Sequence, residues 1–408
     1  MPPLRRNRDF VLLLTGRLLS TIGSQVTVIA YPLLVLALTS SPAKAGLVGF
    51  ARLVPHVLLS LLAGVAADRW NRKRLMLAAD GVRALAIASL AAAILLDRVA
   101  FWEIVLVVVV ESVGSVLFVA AETGALRAVV PRQQLPAAVG AMRARAATVQ
   151  LAGPPLGGLL FGLGRAVPFV FDAVSYTFSF LSLLAMRTPF QEEREHDRAR
   201  LRTKVAEGFR FLWERPFLRT CAFLYGLGNF TIPGVVLVLI VAAEREGLTS
   251  AGIGALLAAF GAGILLGALA SPLFRRRLSM RAILLLELWT GLGIVAFLVW
   301  PSVYVLTAAL VVQGVTLPVT DSVVDGYRIA ITPDRLLGRV ESVRSTIALG
   351  AAPFGPLAAG VLLESTSPRV TVAFFAAFTL VLMLWGTLSP AIRDAPSLDE
   401  LDAVMGAA

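Results

Sequence analysis

Between residues 10 and 390 the chain returns repeatedly to apolar runs of the length, about 20 residues, that an α-helix needs to cross a bilayer. Twelve can be marked: 10–38, 46–67, 75–96, 102–124, 136–163, 167–186, 218–241, 251–274, 282–300, 303–327, 338–363 and 368–390. Inside lipid a spanning segment must satisfy its own backbone polar groups, which favours helices. The expected fold class is therefore an all-α membrane protein with twelve transmembrane helices. Composition agrees: 57% of residues are hydrophobic and 15% charged, against about 25% charged in soluble domains. A soluble enzyme and a disordered chain are excluded. Cys221 is the only cysteine, so no intrachain disulfide or cysteine-based metal cluster is possible. The two histidines, His56 and His196, are too few and too far apart for a histidine site, and no cofactor is implied. The first apolar run is too long for a signal-peptide core and is expected to stay as span one.

The net charge of +11 could suggest nucleic acid, but its placement gives a different reading. Lys and Arg concentrate before span one and in the even-numbered gaps, from Arg5, Arg6 and Arg8 to Arg393. The odd-numbered gaps hold only Lys44, Arg98, Arg165, Arg245 and Arg369. By the positive-inside rule this asymmetry puts both termini in the cytoplasm. The basic charge is then a topology signal and no nucleic-acid partner is expected. A composition rich in Ala and Arg points to a bacterial inner membrane.

The longest hydrophilic break, 187–217, divides the chain into 1–186, a connector, 218–390 and a tail 391–408. The two long parts look like copies. Pro131-Arg132, Gly153-Pro154 and Gly158 recur as Pro333-Asp334, Gly355-Pro356 and Gly360, each 202 residues on. Glu111 and Gln313 share that offset, and Asp80 aligns with Glu287. Two six-helix bundles related by pseudo-symmetry place a substrate site between them near the midplane. In the connector, Leu201, Val205, Phe209 and Leu212 recur at helical spacing among Arg202, Lys204 and Arg210. This pattern fits an amphipathic helix on the inner leaflet or a solvated connector. The acidic tail 394–402 reads as a free cytoplasmic end.

Two motifs carry a resemblance. Between spans two and three stands Gly64-Val65-Ala66-Ala67-Asp68-Arg69-Trp70-Asn71-Arg72-Lys73-Arg74. Gly64 permits close helix approach, and Asp68 is an acid amid cations that topology alone does not require. Span five holds Gly140, then Gly153-Pro154-Pro155-Leu156-Gly157-Gly158, which suggests a close-packed helix bent where proline removes backbone donors. The first resembles the signature loop of the major facilitator superfamily, matched by Gly64, Asp68, Arg69, Arg72 and Lys73. Asn71 replaces a glycine there, and both tolerate a left-handed turn. The second resembles the antiporter motif of that superfamily's exporters, matched at Gly140, Gly153, Pro154, Gly157 and Gly158, with Val149 in place of one glycine. Asp80-Gly81-Val82-Arg83, Phe171-Asp172-Ala173, Gly208-Phe209-Arg210 and Leu337-Gly338-Arg339-Val340 resemble the branch of enterobactin exporters and macrolide-efflux permeases. The resemblance implies the major facilitator fold, with Asp68 latching the cytoplasmic side against the start of span eleven. It also implies an arginine within span four for proton coupling. Residues 103–124 have none; they carry Glu111 and Glu122.

Charges at membrane depth are costly, about 2.5–3.5 kcal/mol each on insertion scales, and mark candidate sites. Glu111 is nearest the midplane and is the first candidate for carrying a proton or touching substrate. Glu122, Asp321 and Asp325 follow, the last two one helical turn apart. Arg17, two turns into span one, could snorkel, pair with an acid or meet an anionic substrate. Asp80 and Arg83 read as a structural pair, and Asp172 as a packing or gating acid. No phosphate-binding loop is present, so energy is expected from an ion gradient. The expectation is a monomeric secondary exporter, not an enzyme, whose partners are a small amphipathic substrate, protons and lipids. An importer or facilitator, or a membrane scaffold or sensor, is the alternative.

Overall fold

The computed structural model describes residues 4–188, 190 and 201–395. Its regular elements, among the described residues, are all helical. The tail beyond Ala395, including Asp399, Glu400 and Asp402, and His196 lie outside the described residues, as do the side chains of Asp68, Arg202 and Lys204.

Six long helices come first: α1 (Arg8–Thr39), α2 (Pro42–Arg69), α3 (Arg72–Leu95), α4 (Phe101–Val129), α5 (Leu135–Leu163) and α6 (Val167–Ala185). Then follow α7 (Leu201–Trp213), α8 (Pro216–Gly228), α9 (Thr231–Arg245), α10 (Ser250–Arg277), α11 (Met280–Gly291) and a short α12 (Ala296–Val299). The series closes with α13 (Val303–Ile331), α14 (Asp334–Gly350), α15 (Phe354–Ser365), α16 (Pro368–Leu388) and a short α17 (Pro390–Arg393). Short polar residues set many starts, where they occupy orphan N–H groups of the first turn. Asn7 accepts from Phe10 N, Ser41 from Lys44 N, Asn71 from Arg74 N and Ser367 from Val370 N. Pro42 and Pro368 stand just inside their helices, where the missing N–H is no loss.

Ten helices or end-to-end helix pairs are long and apolar enough to cross a membrane among the described residues. Three of the expected spans are interrupted. The 218–241 run is α8 and α9, parted at Asn229–Phe230; 282–300 passes through a 3₁₀ turn at Leu292–Val295; and 338–363 breaks at Ala351–Pro353 between α14 and α15. By contrast α5 runs unbroken through Pro154 and Pro155.

The chain forms two compact units, Met1–His196 with Glu246–Ala258, and Asp197–Arg245 with Ala259–Ala408. In the first, Phe10, Leu13, Met76, Phe118, Ala125, Leu183 and their neighbours form an apolar core. The second has its own, around Leu212, Leu224, Leu284, Val323, Val340 and Met383.

Two local expectations change. The turn after α2 is only Trp70–Asn71, and Asn71 has φ −62°, an extended N-cap, so no left-handed residue is needed where the superfamily has glycine. In α7, Gly208, Phe211 and Leu212 face inward, while Phe209 is exposed. Gly208 lies against the backbone of Arg339 and Val340, and Glu207 pairs with Arg339. Of the stripe Leu201, Val205, Phe209 and Leu212, Leu212 is buried, Val205 half-buried and Phe209 exposed, and Gly208 instead seats the helix on α14.

Candidate functional site

The first unit encloses a polar network built by four helices. Glu111, from the middle of α4, is 4% exposed. Tyr31 of α1 donates to its Oε2 at 2.9 Å, and Tyr176 of α6 donates to its Oε1 at 3.2 Å. Arg83 of α3 donates to the Tyr176 hydroxyl and, at 3.3 Å, to Ser24 Oγ of α1. Its guanidinium also lies 3.9 Å over the Tyr176 ring. Asp80 is 3.5 Å from Arg83, and Arg83 is 1% exposed. Room for this arginine comes from Gly114, one turn beyond Glu111: a Cβ there would stand 2.6 Å from Arg83 Cδ. A positive charge therefore reaches α4 from α3. Tyr176 stands between that charge and the Glu111 carboxylate. Charge-assisted hydrogen bonds of this kind are strong where water is excluded. Beside the network Asp172 is fully buried, accepting from Thr27 and Ser175, each at 3.2 Å.

A second cluster in the same unit joins α1, α4 and α5. Arg17 Nε donates to Glu122 Oε2 and Arg145 Nη1 to Glu122 Oε1, both at 3.2 Å. Arg17 also lies 4.7 Å from the Phe118 ring centroid. Among the roles open to Arg17, the structure shows the pair with an acid.

In the second unit Arg328 of α13 bonds Asp325 at 3.1 Å and pairs with Glu341 of α14. Arg344 bonds Glu341 at 2.7 Å and stands 3.7 Å from Asp325. Asp321 lines a cavity of about 40 Å³ with Asp325, Thr320, Tyr225, Cys221 and Arg344, which has the volume of about one water. Glu287 of α11 is 8% exposed. The repeat position of Glu111 is the neutral Gln313, while that of Asp80 is the acid Glu287. Thr290 Oγ1 is 3.0 Å from Thr316 Oγ1 and 3.4 Å from Gln313 Oε1. Among the described residues no group of three or more His, Cys, Asp or Glu side chains could hold a metal ion.

The family of transmembrane secretion effectors matches residues 1–405. The chain belongs to the major facilitator superfamily. It is 29% identical to the multidrug efflux pump Tap of Mycolicibacterium fortuitum, over 96% of this chain and 97% of that one. It is 30% identical to the enterobactin exporter EntS of Escherichia coli, over 73% of each. A bacterial homologue of the iron transporter ferroportin shares the fold, with a TM-score of 0.74 at 17% identity over 92% of this chain and 97% of that chain. These relationships and the apolar helices make the chain a multi-pass membrane protein with the major facilitator fold.

The superfamily motifs can now be placed. Arg72 Nε donates to Ala67 O at 3.2 Å and its guanidinium lies against Gly124. Lys73 donates to Met186 O at 2.6 Å, tying the start of α3 to the end of α6, and Arg69 is exposed. A Cβ added at Gly64 would meet nothing within 4 Å among the described residues, so this glycine serves no close approach there. The same holds for Gly140. Gly153 and Gly157 instead press on α1, where a Cβ would meet Gln25 Cβ at 2.5 Å and Val26 O at 2.7 Å. Gly158 packs on the first turn of α10, a Cβ there coming to 3.0 Å from Gly254 Cα.

The sequence singled out Glu111 by depth alone. It read Arg83 as half of a pair with Asp80, which the structure shows, and did not weigh its reach to Tyr176 and Ser24 or the part of Arg145. One signal was available: Gly114 follows the intramembrane acid by three residues, and a small residue there opens α4 to a side chain from a neighbour.

Proposed function

We propose that this protein is a proton-coupled exporter of small amphipathic molecules, siderophores or antibiotics among them. Counting α2 and α5 with the ten candidate spans gives twelve. At 28 and 29 residues and 1.5 Å per residue, each is about 42 Å long, more than the hydrocarbon thickness. Both termini lie in the cytoplasm of a bacterial cell, and the chain works as a monomer in its inner membrane. Residues 1–186 rock against 218–390 to expose a substrate site alternately to each side, with Asp68 helping to hold the inner side shut. The outward direction is supported by two relatives that are named for efflux and export.

The observation that carries the coupling is Glu111, buried in α4 between two tyrosine hydroxyls and within one residue's reach of Arg83. Ionised, its carboxylate accepts from both tyrosines and is offset by Arg83 through Tyr176. Protonated, it no longer needs that positive charge, and the Arg83–Tyr176 contact is free to rearrange. A proton entering from outside and a substrate leaving the cytoplasm would then use the network in turn.

The test uses inside-out vesicles with an acidified lumen and a lumenal pH dye, challenged with siderophores and antibiotics. Proton release on addition of a transported compound, lost in Glu111→Gln, is the expected result. Coupled release that persists in Glu111→Gln would remove Glu111 from the coupling. Labelled substrate moving with no response to ΔpH would replace antiport with facilitation.

A further inference from the structure

We propose that Arg17 and Arg145 form a binding site for the acidic group of an amphipathic organic anion, a carboxylate, sulfonate or phenolate, with Glu122 as the internal occupant that such a group replaces. The proposal rests on the export reading for its biological meaning only.

The charge balance is the first ground. Two guanidiniums share one carboxylate, one arginine on each oxygen, at 3.2 Å. With Glu122 ionised the cluster keeps a net positive charge in a buried place. The nearby acid Asp80 is paired with Arg83, 3.5 Å away. The second ground is donor capacity. A guanidinium carries five N–H donors. Arg17 and Arg145 each place one on Glu122, and Arg145 Nε is buried with no hydrogen-bond partner among the described residues. Glu122 meets each arginine through one N–H; a sulfonate with three acceptor oxygens, or a cargo carboxylate lying bidentately on one guanidinium, can take up more of these donors. The third ground is access. The three side chains retain 9–12% exposure, whereas Asp80 and Arg83 keep 0% and 1%. The cluster is thus less completely sealed than the Asp80–Arg83 pair.

The placement also suits a cargo site. Arg145 lies on α5 between Gly140 and Gly153, the two glycines that begin the exporter motif. Arg17 and Arg145 enter from the starts of α1 and α5, and Glu122 from the end of α4. With the termini inside, all three stand in the cytoplasmic half of the membrane, where an export cargo is first met.

The experiment is equilibrium binding to the purified full chain, followed by energy transfer from its tryptophans. Two dyes share an anilinonaphthalene frame: 8-anilinonaphthalene-1-sulfonate carries the anion, and N-phenyl-1-naphthylamine is neutral. Arg145→Gln is expected to weaken sulfonate binding about tenfold, the loss of one charge-assisted contact, with the neutral dye unchanged. Glu122→Gln is expected to tighten the sulfonate, since the internal competitor has lost its charge. The unchanged neutral dye and an unshifted thermal transition show that each variant is folded. If Arg145→Gln weakens both dyes equally, if Glu122→Gln weakens the sulfonate, or if the wild-type chain prefers the neutral dye, the site is not an anion site. Displacement of the sulfonate by phosphatidylglycerol but not by phosphatidylcholine would assign the cluster to a lipid headgroup and overturn the cargo reading. None of these outcomes depends on proton flux, so the anion site and the antiport mechanism fail separately.

Discussion

At the scale of single residues, the chemistry depends on a small residue as much as on charged ones. Gly114 makes the space in which Arg83 crosses to α4. Gly114→Ala puts a methyl group 2.6 Å from Arg83 Cδ, so the arginine must leave Tyr176 or the helices must part. Overpacking of a filled interior costs about 1–3 kcal/mol. The expected outcome is a lower thermal transition and at least about tenfold slower transport; normal transport with an unshifted transition would mean that Arg83 has room the structure does not show. Tyr176→Phe removes the hydroxyl that both Arg83 and Glu111 use. It should leave substrate binding intact while flattening the pH dependence of flux, and an unaltered profile would place Tyr176 outside the relay. Glu111 was legible in the sequence because an acid in an apolar run stands out. Its partners were not. Tyr31, Arg83 and Tyr176 lie on three other helices, and nothing in hydropathy says which residues of different spans will meet.

At the scale of elements, glycines that look equivalent in a motif separate by what they touch. Gly140 opens the antiporter-like pattern, yet an added Cβ would meet nothing within 4 Å among the described residues. Gly140→Ala should be neutral or stabilising by up to about 1 kcal/mol, since alanine is the better helix former. Gly157 rests on the Val26 carbonyl, backbone against backbone. Gly157→Ala should therefore lower stability by about 1–3 kcal/mol and expression with it. Thermal unfolding of the two variants in one detergent checks both, and equal shifts would contradict the packing of α5 on α1. The sequence read α5 as a close-packed helix able to bend at its two prolines; the helix continues through both, and Gly153 and Gly157 hold it against its neighbour.

At the scale of the whole molecule, ten of the twelve marked runs fall, among the described residues, on helices or helix pairs long and apolar enough to cross a membrane, because bilayer thickness is a strong and simple constraint. The offset of 202 sets Glu111 beside Gln313 in the sequence; the structure adds that Glu111 bonds two tyrosines while Gln313 meets a threonine. The proposed topology can be checked with single cysteines in the Asp97–Arg98 turn and after Arg393. Cys221, the only native thiol, is buried and should not compete for label. An impermeant maleimide added to whole cells is expected to mark the first position and spare the second; the reverse pattern would invert the topology.

Interruptions of the long helices fall, among the described residues, in the second unit: at Asn229–Phe230, Leu292–Val295 and Ala351–Pro353. The six long helices α1 to α6 of the first unit run without a break. Each interruption leaves amides without a regular α-helical partner, and such amides trade hydrogen for deuterium more readily than those of an intact helix. The two units would then differ in pliancy, the first stiff along its unbroken helices and the second yielding at its breaks.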